Sequence, residues 1–247
     1  MTQDRALDQI LLFGDSITQF ASNPALQGWG AILAHKYMRK LDVINRGFSG
    51  FNTEWCKHLL ADTLRTVLPN ATNSQTQPPK IRIMTLFLGA NDGVDPEFNQ
   101  RHHVSLPNYN QNMHEMLETV RTHSPGTKVI VITPPPVNPE AWAVVCRAKG
   151  KVPDRNAAHT KKYRDECIRI YEEAKPKWGR DLILVDIWEV FFGPGRTEYE
   201  MSELDELLID GLHLGMKGNK LLGYALVKAI SDIWPELDYE KMENAFF

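Results

Sequence analysis

The run Ile81 to Leu88 is apolar apart from Arg82 and Thr85, and it limits the fold more than any other stretch. A strand this apolar has to be covered on both faces, the situation of a central strand in a parallel sheet. Parallel neighbours need a crossover between them, usually a helix, so the rest of the chain should alternate strand and helix. It does. Ile10 to Phe13, Val43 with Ile44, Lys128 to Thr133 and Leu182 to Ile187 read as four further strands. Helical spacing of apolar residues appears in Trp29 to Leu41, Thr53 to Leu68, Tyr109 to Thr122, Asn156 to Ala174 and Gly215 to Trp234. Pro69 to Lys80, with Pro69, Pro78 and Pro79, reads as a solvated loop and not a linker, because the alternation resumes beyond it. Asn138 to Pro153 has no clear period, although Trp142, Val144 and Val145 could pack over strand ends, and Phe191 to Leu208 is loop-rich. The expected architecture is α/β: a mostly parallel five-stranded sheet with helices on both sides, in a single domain spanning residues 1–247.

Ligands of such sheets bind beyond the carboxyl ends of the strands, which is where the polar motifs of this chain lie. Gly14-Asp15-Ser16-Ile17-Thr18 ends the first strand, Asn45-Arg46-Gly47-Phe48-Ser49-Gly50 leaves the second, and Gly89-Ala90-Asn91-Asp92 leaves the third. Asp210-Gly211-Leu212-His213 precedes the last helix. In the first motif Asp15 or Ser16 suits a helix cap, and Ser16 equally suits a nucleophile at a strand end. Acyl transfer through serine needs a nucleophile, a base, a group that orients the base, and donors for the developing oxyanion. Ser16, His213 and Asp210 can supply the first three. The amides of Ser16 and Gly50 and the side chain of Asn91 can supply the last.

These four motifs, in this order and at these strand ends, resemble the GDSL or SGNH hydrolases. Leu11 to Thr18, Asn45 to Gly50, Gly89 to Asp92, and Asp210 to His213 with Lys217-Gly218-Asn219 look most like the isoamyl acetate-hydrolysing esterases, and Ile132 to Pro136 and Glu140-Ala141-Trp142 fit the same subgroup. The resemblance implies the three-layer αβα, flavodoxin-like fold of SGNH hydrolases. It implies Ser16 as nucleophile, Asp210 and His213 as the rest of a catalytic triad, and Ser16, Gly50 and Asn91 as the oxyanion hole. The substrate it implies is a small ester, hydrolysed without metal or cofactor. A lipase, thioesterase or acyltransferase of the same family is the alternative chemistry. Phe48, Phe51, Trp142, Phe191 and Phe192 are candidates for lining the pocket, with core packing the expected fate of most of them.

Other classes fit less well. An α/β-hydrolase carries its nucleophile in Gly-x-Ser-x-Gly, and Gly47-Phe48-Ser49-Gly50-Phe51 breaks that spacing. A flavin or nucleotide module would set phosphate at the first loop, where Asp15 would repel it. A metal site drawn from Asp15, Asn91, Asp92 and His213 lacks the usual ligand spacing. A net charge of -3 leaves no basic footprint for nucleic acid, and no run approaches the ~20 apolar residues of a membrane span. The mixed charges of Asn156 to Ala174 do not suit a membrane surface. Met1 to Arg5 has no signal-like apolar region, and Cys56, Cys146 and Cys167 have no motif spacing. The expectation is a cytoplasmic enzyme with free thiols. Asn70-Ala71-Thr72 would then never meet a glycosyltransferase, the ester is the expected partner, and a homodimer remains open.

Overall fold

A computed structural model describes residues 6–68, 78–196 and 198–245. The loop reading of Pro69 to Lys80, the Asn70 acceptor and the reading of Met1 to Arg5 fall wholly or mostly outside those residues.

The five strands form one sheet in the order β2-β1-β3-β4-β5, every neighbouring pair parallel. They are β1 (Gln9–Gly14), β2 (Asp42–Gly47), β3 (Ile81–Phe87), β4 (Lys128–Ile132) and β5 (Leu182–Val185). Alternation along β1 sends its side chains into two cores. Ile10 and Leu12 meet α2 (Trp29–Lys36) and α8 (Met216–Ile233), while Leu11 and Phe13 meet α3 (Thr53–Val67), α4 (Leu106–His123) and α6 (Ala157–Trp178). Both faces of the sheet are therefore covered, and the apolar composition of β1, β3 and β4 follows from that. The strand order reverses between β1 and β3, and the crevice such a reversal opens is the standard ligand position in an open sheet.

Four elements depart from the expected boundaries. The helix expected over Trp29 to Leu41 stops at Lys36. Tyr37 is fully buried with its hydroxyl on the Leu237 carbonyl at 2.8 Å, and Arg39 takes the left-handed region at φ 64°, turning the chain toward β2. The second strand is not two residues long but continues through Asn45, Arg46 and Gly47. It is an edge strand, so polar side chains there can face water. The ambiguous stretch after Asn138 contains α5 (Pro139–Ala148). Asn138 caps it, accepting from the amides of Glu140 and Ala141 at 3.1 Å each, and Pro139 stands at the helix start, where its missing N–H costs nothing. The loop-rich passage after β5 begins inside a short helix, α7 (Ile187–Phe192), which Asp186 caps.

Candidate active site

Register places the motifs before any side chain is considered. Gly14 pairs with Gly47 on one side and with Phe87 on the other, so β1, β2 and β3 end level. Ser16, Gly50 and Asn91 follow those three ends within a few residues, and the loops after β1 and β3 flank the crevice where strand order reverses.

The first motif divides two jobs between neighbours. Asp15 is the cap of α1 (Ser16–Gln19), its Oδ1 accepting from the Ile17 amide at 2.9 Å, and Ser16 is the first helical residue. The cap therefore falls on Asp15, and Ser16 is free to face the crevice. Its Oγ lies 2.8 Å from His213 Nε2, and His213 Nδ1 lies 2.7 Å from Asp210 Oδ2. A carboxylate can only accept, so Nδ1 carries the proton and Nε2 presents its lone pair to the serine hydroxyl. Burial alone would raise the Asp210 pKa. Hydrogen bonds and charge from His213, with the amides of His213 and Leu212 at 2.8 and 3.0 Å on Oδ1, outweigh it and hold the carboxyl below its ordinary value.

Ser16 and His213 are far apart in the chain, and a short series of buried hydrogen bonds joins their segments. Trp29 Nε1 donates to the Ile17 carbonyl at 3.4 Å, Asn219 Oδ1 accepts from the Trp29 amide at 3.2 Å, and Asn219 Nδ2 donates to the Leu214 carbonyl at 2.9 Å. The first turns of α2 and α8 are thus pinned together, with Ser16 on one side and His213 on the other. Asn219 belongs to the Lys217-Gly218-Asn219 stretch noted in the sequence, and this is its physical role. The His213 loop is closed by a bridge between Leu208 and Leu214, with the Ile209 amide on the His213 carbonyl at 2.8 Å.

Among the described residues no protein acceptor engages the backbone N–H of Ser16 or of Gly50, the latter at φ +81°. Asn91 is almost fully buried, donates one Nδ2 hydrogen to the Phe51 carbonyl at 2.8 Å, and keeps a second N–H. Asp92, beside it, faces away from this set and accepts from the Thr53 amide at 3.0 Å and from the Thr53 hydroxyl. The four residues grouped in the metal reading are thus split between separate hydrogen-bond sets. Among the described residues no cluster of three His, Cys, Asp or Glu side chains could hold a metal ion. Burial pushes Asp15 up to about 6, against the pull of the Ile17 amide and of His213 and Arg155, and pushes Asp92 up to about 7 despite the Thr53 bonds.

Of the aromatic candidates, Trp142 reaches the site, its ring centroid 6.1 Å from that of His213. Phe48 and Phe51 pack against the α3 side of the core, and Phe191 and Phe192 against the α8 side, where Phe192 stacks on Tyr199 at 5.1 Å. Phe20, unremarked in the sequence, meets the His213 ring edge-on at 5.2 Å. Also missed were Arg155 and Asp154. Arg155 Nη2 donates to Asn91 Oδ1 at 2.9 Å, and Asp154 accepts from Trp142 Nε1 at 2.9 Å and Asn99 Nδ2 at 2.6 Å. A lone Asp-Arg pair before a helix carries no sequence signal of its own. Cys56, Cys146 and Cys167 are free and buried, and burial pushes each thiol up, which favours the protonated form.

This sheet, with a serine, an imidazole and a carboxylate in line at its carboxyl rim, has the layout of a serine hydrolase of the α/β class. The GDSL-like lipase/acylhydrolase family model matches residues 12–221, and the chain belongs to that family. It is an esterase. The rat isoamyl acetate-hydrolyzing esterase 1 homolog is 35% identical over 231 residues, covering 93% of this chain and 81% of that protein. The isoamyl acetate-hydrolyzing esterase of Saccharomyces cerevisiae is 29% identical, covering 96% and 91%. Among solved structures, a carbohydrate acetylesterase from Sinorhizobium meliloti superposes with a TM-score of 0.61 at 19% identity, covering 92% of this chain and 100% of that one. The fold is accordingly that of the SGNH hydrolases.

Proposed function

We propose that the protein hydrolyses esters of short acyl groups through an acyl-enzyme on Ser16. The observation that carries this reading is the unbroken line from Ser16 Oγ to His213 Nε2 at 2.8 Å and from His213 Nδ1 to Asp210 Oδ2 at 2.7 Å. Ser16 Oγ attacks the ester carbonyl as His213 takes its proton, and Asp210 holds the ring in the productive tautomer. The carbonyl oxygen, now negative, receives the amides of Ser16 and Gly50 and the second N–H of Asn91. His213 returns the proton to the departing alcohol, and water then repeats the attack on the acyl-serine. Every proton moves between Ser16, His213, alcohol and water, so neither metal nor cofactor enters.

For the substrate, the isoamyl acetate and acetyl esters in the names of the relatives support a small acyl group. The Phe20 and Trp142 rings, each meeting the His213 ring edge-on, support apolar contact with the substrate beside the base. We place the activity in the cytoplasm and on dissolved ester. No described helix is long and apolar enough to cross a membrane. The charged face of α6 is balanced by its own ion pairs, Lys161 with Asp165 and Arg169 with Glu166 and Glu173, instead of presenting a basic surface to lipid.

The test is a series of p-nitrophenyl esters assayed with the parent enzyme and with Ser16→Ala. A buried methylene contributes about 0.8 kcal/mol only while the pocket has room for it. The expected result is a kcat/KM that peaks between acetate and butyrate, falls steeply by octanoate, and drops by several orders of magnitude in Ser16→Ala. Retained turnover in Ser16→Ala would remove the mechanism, and equal rates on acetate and palmitate would remove the substrate class.

A further inference from the structure

Arg155 is a charged side chain inside the protein for which the mechanism above has no use. It lies between α5 and α6, and its side chain is 6% exposed. Nη2 donates to Asn91 Oδ1 at 2.9 Å, and Nη1 donates to the carbonyl of Ala90, the residue before. The fork therefore grips one loop twice, once on its backbone and once on the side chain that faces the oxyanion. Nε stands 3.6 Å from Asp154 Oδ1 without making a hydrogen bond. The guanidinium also lies over the Trp142 ring, 5.5 Å from its centroid, and Asp154 is itself fixed by Trp142 Nε1 and Asn99 Nδ2. Burying a guanidinium is costly unless its charge and hydrogen bonds are met; Asp154 and the Trp142 ring face the charge of this one, and both of its hydrogen bonds go to Ala90 and Asn91.

A carboxamide has two ends of nearly the same shape and opposite hydrogen-bonding character. In the oxyanion hole the two ends are not equivalent: Nδ2 stabilises the developing charge and Oδ1 would repel it. The Phe51 carbonyl accepts from Nδ2 at 2.8 Å, and Arg155 donates to Oδ1. Only one of the two amide orientations satisfies both contacts, and it leaves the remaining Nδ2 hydrogen for the substrate. A hydrogen bond from a cation is also stronger than a neutral one, and it draws electron density toward Oδ1 and away from the N–H. We infer that Arg155 is the positioning residue of the oxyanion hole: its two-pronged grip on Ala90 and Asn91 locks the Asn91 amide with its N–H toward the reacting carbonyl and strengthens that donor. Arg155 itself does not touch substrate. This inference rests on the Ser16 mechanism proposed above.

The test is a double-mutant cycle on p-nitrophenyl acetate with the parent, Arg155→Met, Asn91→Ala and the double variant, kcat and KM being measured separately. Removing one oxyanion donor lowers kcat by roughly 10² to 10³. Arg155→Met is expected to lower kcat by about 10- to 100-fold with KM within about twofold, because the interaction is made with the transition state and not with the ground state. In the Asn91→Ala background the same change should cost less than about threefold, since the donor it serves is gone. Arg155→Lys keeps the charge but loses the fork, and it should fall between parent and Arg155→Met. If Arg155→Met does not fold, as judged by circular dichroism and thermal melting, the cycle is run with Arg155→Lys. Full additivity of the two losses, or a loss carried by KM alone, overturns the positioning role. Ser16→Ala in the same assay separates the two readings. An active Ser16→Ala defeats the mechanism, whereas an inactive one beside an additive cycle defeats only the role of Arg155.

Discussion

Replacing Gly211 with alanine should damage the site without touching any of its reacting groups. Gly211 sits between Asp210 and His213 at φ +84°, a region where a Cβ costs about 1 kcal/mol or somewhat more. A Cβ there would also lie 2.4 Å from the Asn138 carbonyl and 2.7 Å from the Trp142 amide, both backbone atoms at the start of α5. Neither can rotate away, so the loop and the helix must separate, straining the hydrogen bond from the Asn138 amide to the Gly211 carbonyl at 2.9 Å. Overpacking of this kind costs about 1 to 3 kcal/mol, which brings the total to roughly 2 to 4 kcal/mol. The displacement falls on His213, whose ring must stay within hydrogen-bond reach of Ser16. A shift on the order of 1 Å there lowers kcat by about 10²-fold. Gly126→Ala is the matched control: it has a similar φ of +85° and nothing within 4 Å of the added Cβ, so it should lose only about 1 kcal/mol and keep its kcat. Thermal melts and steady-state kinetics on p-nitrophenyl acetate read both quantities. If Gly211→Ala matched Gly126→Ala in melting temperature and rate, the backbone clash would be refuted as the reason for glycine at this position.

Asn91→Ala should lower kcat by roughly 10² to 10³ with little change in KM, measured on the same ester, and an unchanged kcat would remove Asn91 from the oxyanion hole. Asp15 and Asp92, raised to about 6 and about 7 from ordinary values near 3.8, bind more protons in the folded than in the unfolded state between those limits. The stability that these two carboxyls contribute should therefore fall as pH rises from about 4 to about 7. Asp92→Asn should flatten that slope in urea melts taken across the interval, and an unchanged slope would refute the assignment. Dialysis against EDTA should leave kcat/KM unaltered, and a loss reversed by zinc or manganese would overturn the metal-free mechanism.

Much of the site could be read along the chain because its parts are local. Asp210 and His213 are three residues apart, and the carboxylate takes the amides of Leu212 and His213 as well as the ring nitrogen within a single turn. Apolar runs show where strands stop, and in a parallel sheet those stops become one rim, so Ser16, Gly50 and Asn91 could be assigned to the same edge before any distance was known. The helix boundaries were less legible. Tyr37 fits the apolar stripe of α2, but its hydroxyl is drawn to the Leu237 carbonyl, a partner 200 residues away that no local period encodes.

Tertiary packing alone decided the rest. The Ser16 to His213 contact spans 197 residues and depends on Trp29 and Asn219 tying α2 to α8. Asp15, which looked interchangeable with Ser16 as a cap, becomes a buried carboxyl once β1 is covered on both faces, while Ser16 is left to turn toward the crevice. Arg155 reaches Asn91 across 64 residues, and its neighbours in sequence give no hint of that partner. The physical reason is the same in each case. Hydrophobic periodicity and turn chemistry are properties of neighbouring residues, whereas desolvation and the partners of a buried polar group depend on which distant segments the core brings together.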